Sequence, residues 1–246
     1  MRIFARASAL AVFFWCAPSH AKNTGFLDSQ SGLTLGAGAY KYWIDAVNAY
    51  DPVPGLAPTG TITSGSDGIL LLPLKAGYFL TRGNAEIETY FRYMINRSGS
   101  WTATGTQEGT GTFTFRSYGA GINAGVGLMQ SDRFQLKLTL NGEYVLQRLK
   151  VNFTSASASE ILNLKSTSLL AGVGLQPEIW LGDLWALSIF AGYQYGMKAN
   201  WSVAEAASFM GQARAVGEFS DSAGAKVPAR FGGFLGEISL KLHFYN

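Results

Sequence analysis

Four polar side chains stand two residues apart in "EISLKLH", near the end of the chain: Glu237, Ser239, Lys241 and His243. A carboxylate, a hydroxyl, an amine and an imidazole are the parts of a nucleophilic site. A Ser–His–acid site, however, needs side chains that converge from several elements. Here the four lie in a row, and Ile238, Leu240 and Leu242 alternate with them. That is the pattern of one strand with a polar and an apolar face. Only one other histidine, His20, occurs in the chain, and the single cysteine is Cys16. A transition-metal site therefore has no set of soft or imidazole ligands to draw on. "GAGINAGVG" (119–127) lacks the GxGxxG spacing of a nucleotide loop. The sequence implies no enzyme, no cofactor and no metal.

The other charged residues fall into the same period of two. Lys75, Glu86, Glu88, Arg92, Arg116, Lys137, Glu143, Glu178, Glu237 and Lys241 are assigned to one face, five of each sign. Buried charges persist when paired. This set reads as an ion-pair network filling a narrow interior. Read as a path for solutes, the same charges would line a small channel.

The elements that carry these residues are eight alternating runs, about 33–43, 70–80, 85–95, 118–128, 134–140, 169–179, 185–195 and 234–244. Three connections are tight: "TRGN" at 81–84, "QSDR" at 130–133 and "LGDL" at 181–184. Four are long, about 44–68, 97–111, 149–166 and 198–229, and long alternates with short. The expectation is an all-β fold: an eight-stranded up-and-down antiparallel transmembrane β-barrel with short periplasmic turns and long extracellular loops. A lipocalin-like barrel of equal strand number would turn its apolar face inward. Against that stand the small residues of the polar face (Gly, Ser, Asn, Gln) and aromatics at both ends of the apolar face. Trp43, Tyr93, Tyr118, Tyr144, Tyr193 and Tyr195 would mark one interface; Phe134, Trp185 and Phe244 would mark the other. In the last long connection, Ser202 and Glu205 form a capping box that predicts a short helix.

Charged residues make up only 14% of the 246-residue chain, where soluble domains average about 25%. Arg2 and Arg6 precede an apolar run at 7–17, with Ser19 and Ala21 spaced as at a cleavage site. Residues 1–21 read as a signal peptide and 22–246 as the barrel domain. Cleavage would remove both arginines and Cys16. The remaining charge is too small to suggest a nucleic-acid partner, and no disulfide is expected.

Polarity reverses along the strand that begins at Phe134. Its lipid-facing parity runs apolar or small to Leu146 and then reads Arg148, Lys150, Asn152, while Leu149, Val151 and Phe153 turn inward. The next strand mirrors it, with Asn163, Lys165 and Thr167 outward and Leu162 and Leu164 inward. Both strands are expected to leave the membrane here, with Arg148, Lys150 and Lys165 facing lipopolysaccharide phosphates.

The terminal run, "RFGGFLGEISLKLHFYN", resembles the C-terminal aromatic signal read by the outer-membrane assembly machinery, although Phe244 is third from the end. By pattern and architecture the chain resembles small eight-stranded outer-membrane barrels such as the OmpA-type transmembrane domain and the opacity-type proteins. That resemblance implies a bacterial outer-membrane location and a non-enzymatic surface or envelope role, adhesion or membrane integrity, with an extracellular ligand at the loops. A small-solute channel or a cellulose-export accessory is the alternative, and a lipid-modifying enzyme a more distant one.

Overall fold

The computed structural model describes residues 29–42, 69–103, 109–131, 133–197, 199–209, 212–220, 226, 229 and 232–245. The expected signal peptide, Trp43 and the first long connection lie outside them. Eight main strands follow one another: β1 Gln30–Tyr42, β2 Pro73–Arg82, β3 Ala85–Ala103, β4 Gly109–Gln130, β5 Phe134–Ser155, β6 Ser159–Trp180, β7 Trp185–Gly196 and β8 Gly232–Tyr245. Each pairs antiparallel with its neighbours in chain order, and β8 returns to pair with β1 from Gln30↔Tyr245 to Tyr42↔Gly233. The sheet is therefore a closed ring. A short segment, Ile69–Leu71, continues β2 upward against β1.

Alternation sets which side each residue faces. On β5, residues 137–151 alternate buried and exposed without a break, with Lys137, Thr139, Asn141, Glu143, Val145 and Gln147 inward. Outward stand Leu138, Leu140, Tyr144 and Leu146, all exposed. Leu33, Leu35, Leu74, Phe91, Ile122, Val173, Ile189, Phe234 and Ile238 continue this apolar belt around the ring. A soluble monomer does not expose such a continuous belt. Apolar outside and polar inside is the arrangement of a transmembrane barrel rather than of a lipocalin. From Phe134 to Leu146 the belt spans about 40 Å along the strand, or about 30 Å of height at a tilt of about 40°.

The turn end is compact. β2 and β3 are joined by Gly83 and Asn84 alone, between the paired residues Arg82 and Ala85. Gly83 has φ of 58°, a left-handed conformation that costs a residue without Cβ nothing. Both ends of the barrel, Gln30 and Tyr245, meet at this rim.

The opposite end differs from the expectation at 97–111, which is mostly strand: β3 runs to Ala103 before β4 starts at Gly109. At 149–166 the two strands continue outward as their reversal of polarity predicts, β5 to Ser155 and β6 from Ser159, leaving only a short turn of the expected long connection. Four strands thus rise beyond the rim, where β7 ends at Gly196 opposite Leu170. The 11 residues of β6 from 159 to 169 extend roughly 35 Å along the strand. The apolar parity switches to the inner face at this height, so the strands have a core to cover and need not end. A bulge between Met94 and Arg97 shifts the register of β3 against β4 as the sheet leaves the ring.

The expected helix at 202–205 is absent. Ser202–Val203 is instead a strand that pairs with Leu164 and Lys165 of β6, and Gly217–Glu218 pairs with it in turn. Ala207–Phe209 and Gln212–Arg214 form a small hairpin. An exposed strand edge offers unpaired N–H and C=O groups. Covering the upper edge of β6 satisfies more backbone than one isolated helical turn would.

A ring with every neighbour paired should resist detergent. Unheated protein in dodecyl sulfate is expected to migrate differently from boiled protein, and circular dichroism in lipid should show strand. A helical spectrum, or a single migration position at both temperatures, would contradict the closed ring.

Candidate functional site: a charged lumen beneath an apolar lid

Nine of the ten residues assigned to the interior by sequence lie there, and all nine are buried: Lys75, Glu86, Glu88, Arg92, Lys137, Glu143, Glu178, Glu237 and Lys241. They form two groups. Near the turn end, Lys137 Nζ reaches Glu86 at 2.6 Å and Glu178 at 3.0 Å, and Lys241 Nζ reaches the same two carboxylates at 2.6 and 2.9 Å. The result is an alternating square drawn from β3, β5, β6 and β8. Above it runs a chain: Glu88 to Lys75 at 3.2 Å, Lys75 to Glu237 at 2.6 Å, Glu237 to Arg92 at 3.2 Å, and Arg92 to Glu143. Asn123 Nδ2 donates to Glu88 at 2.7 Å, and Tyr90 Oη donates to Glu143 at 3.1 Å. Each of the four cations touches two carboxylates. In so narrow a lumen this mutual pairing offsets the desolvation of the charges.

Arg116 is the exception. It is exposed on the outer face of β4, opposite Arg148. The reason is parity: Arg116 shares the even positions of Tyr118, Ala120 and Ile122, which all point away from the lumen. The interior set therefore holds five carboxylates and four amine or guanidinium cations.

Small residues make room for the network. Cβ atoms at Gly119 and Gly121 would collide with the Glu143 carboxylate and the Tyr90 ring respectively. "GAGINAGVG" is thus the thin wall beside the bulkiest lumenal side chains. Its lumenal asparagine, Asn123, is part of the network.

The row on the terminal strand does not make a nucleophile. Ser239 Oγ donates to Glu237 at 3.1 Å. His243 lies four residues further along the strand, about 13 Å away. Its Nδ1 is 3.0 Å from Gln30 Oε1, and its ring packs against Trp180 and Phe79 with centroids 4.1 and 4.7 Å apart. Gln30, Asn84, Gln135, Trp180 and His243 help line a polar cavity of about 140 Å³ at the turn end. Among the described residues, no group of three or more His, Cys, Asp or Glu is placed to hold a metal ion.

Sequence reading anticipated an inward apolar turn at Leu149, Val151, Phe153, Leu162 and Leu164, and these are buried. It did not anticipate what packs on them. Trp201, Val203, Phe209, Phe219 and Ala229, all from the last long connection, are buried in the same cluster. With Tyr40, Met94, Phe115 and Leu235 they lay an apolar lid across the lumen above the ion pairs. The spacing of these five residues follows no single period, because the segment reverses direction several times.

Arg148, Lys150 and Lys165 are exposed on the outward face of β5 and β6. Arg148 stands directly opposite Lys165, whereas Lys150 is opposite Asn163 one step further from the membrane belt.

Substitutions should separate inside from outside. Lys241→Met leaves Glu86 and Glu178 each short of one partner and is expected to cost about 3–5 kcal/mol. Arg92→Ala, which strips Glu143 and Glu237 of a shared cation, should cost a similar amount. Arg116→Ala should change stability by no more than about 0.5 kcal/mol. Urea unfolding in lipid vesicles reads all three, and equal losses would contradict the two-sided placement.

No family model matches the chain, and no curated protein matches it in sequence. Among solved structures it is similar to Ail, the attachment invasion locus protein of Yersinia pestis, at 12% identity with a TM-score of 0.45, covering 89% of this chain and 100% of that one. A second Ail structure, in complex with the heparin analogue sucrose octasulfate, matches at 14% identity with a TM-score of 0.40 over the same shares. Neisserial surface protein A matches at 12% identity with a TM-score of 0.38, covering 87% of this chain and 97% of that one.

Proposed function

We propose that this chain is a non-enzymatic outer-membrane surface protein: a closed barrel that anchors a projecting four-stranded sheet, which in turn meets an extracellular ligand. The observation that carries this reading is the double closure of the lumen. The ion-pair layer and the apolar lid each cross the interior, so a hydrated solute has neither a polar path through the lid nor unpaired charges to follow below it. The barrel can hold the protein in lipid without passing anything through it. What it holds up is the upper half of β3 to β6, rising well beyond the apolar belt.

The turn end would face the periplasm and the projecting end the outside, as short turns and long excursions are arranged in barrels of this kind. Cleavage after Ala21 and delivery by the outer-membrane assembly machinery belong to the same proposal. β8, ending near Phe244 and Tyr245, is the strand that closes the ring and the one such machinery would read. The channel and export readings need an open lumen, and the two crossing layers weigh against both.

Two measurements on the full chain test this. In planar bilayers the protein should give no stable conductance steps. Displayed on a heterologous Gram-negative cell, it should confer binding to an immobilised polysaccharide or matrix protein. That binding should fall at least tenfold when the tips, 103–109 and 155–159, are replaced by two-residue turns. Steady ion conductance would defeat the anchor reading, and unchanged binding after tip replacement would defeat the role of the projecting sheet.

A further inference from the structure

The outward face of the projecting sheet carries an arrangement of charge that the fold itself does not need. Arg116 of β4 is paired in register with Arg148 of β5, and Arg148 with Lys165 of β6. Three cations therefore stand in one row on three adjacent strands, all exposed. Strands lie about 4.8 Å apart, and like charges directly opposite one another repel. Lys150 stands one outward position above Arg148 on the same face. Among the described residues none of these four forms an ion pair, whereas every cation inside the lumen forms two. Two carboxylates come near this row: Glu205 accepts a hydrogen bond from Asn163 at 3.3 Å, and Glu218, two strands beyond Lys165 in register, is paired with Lys226 at 2.7 Å.

The height of the row narrows what could satisfy it. One outward position nearer the ring, the same three strands carry Tyr118, Leu146 and Thr167; two positions nearer they carry Ala120, Tyr144 and Leu169. Leu146, Tyr144 and Leu169 are exposed members of the apolar belt. Arg116, Arg148 and Lys165 thus stand about 7 Å along their strands, or about 5 Å in height, beyond the last apolar position. That is the depth of headgroup phosphates, just outside the hydrocarbon of a leaflet. Two guanidinium groups side by side offer paired N–H donors to phosphate oxygens, and the lysines add point charges.

We propose that Arg116, Arg148 and Lys165, with Lys150 above them, form a binding site for the phosphate groups of an outer-leaflet glycolipid. The inference rests on the orientation given under Proposed function. It makes the outer edge of the apolar belt a specific lipid contact rather than a plain boundary. The row repels itself in the bare protein, and a phosphate dianion bridging two strands removes that repulsion.

The test uses the full chain in neutral detergent micelles. Wild-type protein and the triple variant R116Q/R148Q/K165Q are titrated with diphosphoryl lipid A, with the same lipid after phosphatase treatment, and with inorganic phosphate. Heat modifiability verifies that the variant folds, and Arg82→Gln, an exposed position at the opposite, turn end of the barrel, serves as control. Diphosphoryl lipid A should raise the thermal transition of wild type and of the control. The variant should bind it at least tenfold more weakly, and the dephosphorylated lipid should have little effect on any form. Equal binding by wild type and triple variant would overturn the site. Equal binding of phosphorylated and dephosphorylated lipid would overturn phosphate recognition. An equal effect of inorganic phosphate would overturn the glycolipid as its source. Because binding in micelles involves neither conductance nor cell attachment, a failure here is distinct from a failure of the surface role.

Discussion

Hydrocarbon offers no hydrogen bonds to a peptide group, so every N–H and C=O that enters it must find a partner within the protein. In this chain that requirement is met by the seam between β1 and β8, where 13 consecutive residues of each strand pair in register. Without the seam the sheet would have two open edges in lipid. With it, the number of strands is fixed at eight, and the remaining features follow from how little space eight strands enclose.

A narrow ring has an inside that must be filled, and the filling changes along its axis. Where the ring is surrounded by hydrocarbon the inner face is polar, and its charges satisfy one another across the lumen. Where the strands rise into water the logic inverts. The outer face takes the charges, and the inner face gathers Leu149, Val151, Phe153, Leu162 and Leu164 beneath Trp201 and Phe209. One strand, β5, contributes to a polar interior at Lys137 and Glu143 and to an apolar one at Val151, with its inward parity unbroken between them. The surroundings change along the strand, and the residue types change with them.

Much of this was legible because a period of two is a strong signal wherever one side of a strand meets lipid. The runs around Leu138, Ile122 and Ile189 each declare their face, and the lumenal acids and bases follow by parity. Arg116, expected in the lumen, lies outside because its parity is that of Tyr118 and Ala120, which face away from the interior. The stretch at 97–111 read as a loop because its residues are mostly small and polar, which is equally what a strand in water looks like. The bulge near Met94 added to this on β3 by shifting its phase. Ser202 and Glu205 have the spacing of a helix start, but the open edge of β6 offered that backbone a better partner. Tertiary pairing of this kind leaves no local trace.

The lumenal ion pairs join residues far apart in the chain: Lys241 to Glu86 and Glu178, and Lys75 to Glu237, with β8 supplying one member of each. Until β8 is in place, Glu86 and Glu178 share Lys137 alone, and Lys75 has Glu88 alone. An unclosed sheet therefore leaves these charges short of partners on the face destined to become its interior, and that face must stay wet. Drying the lumen is tied to the arrival of the last strand. The eighth strand thus acts as the keystone of the assembly, completing the pairing of the interior charges in the same step that completes the backbone ring.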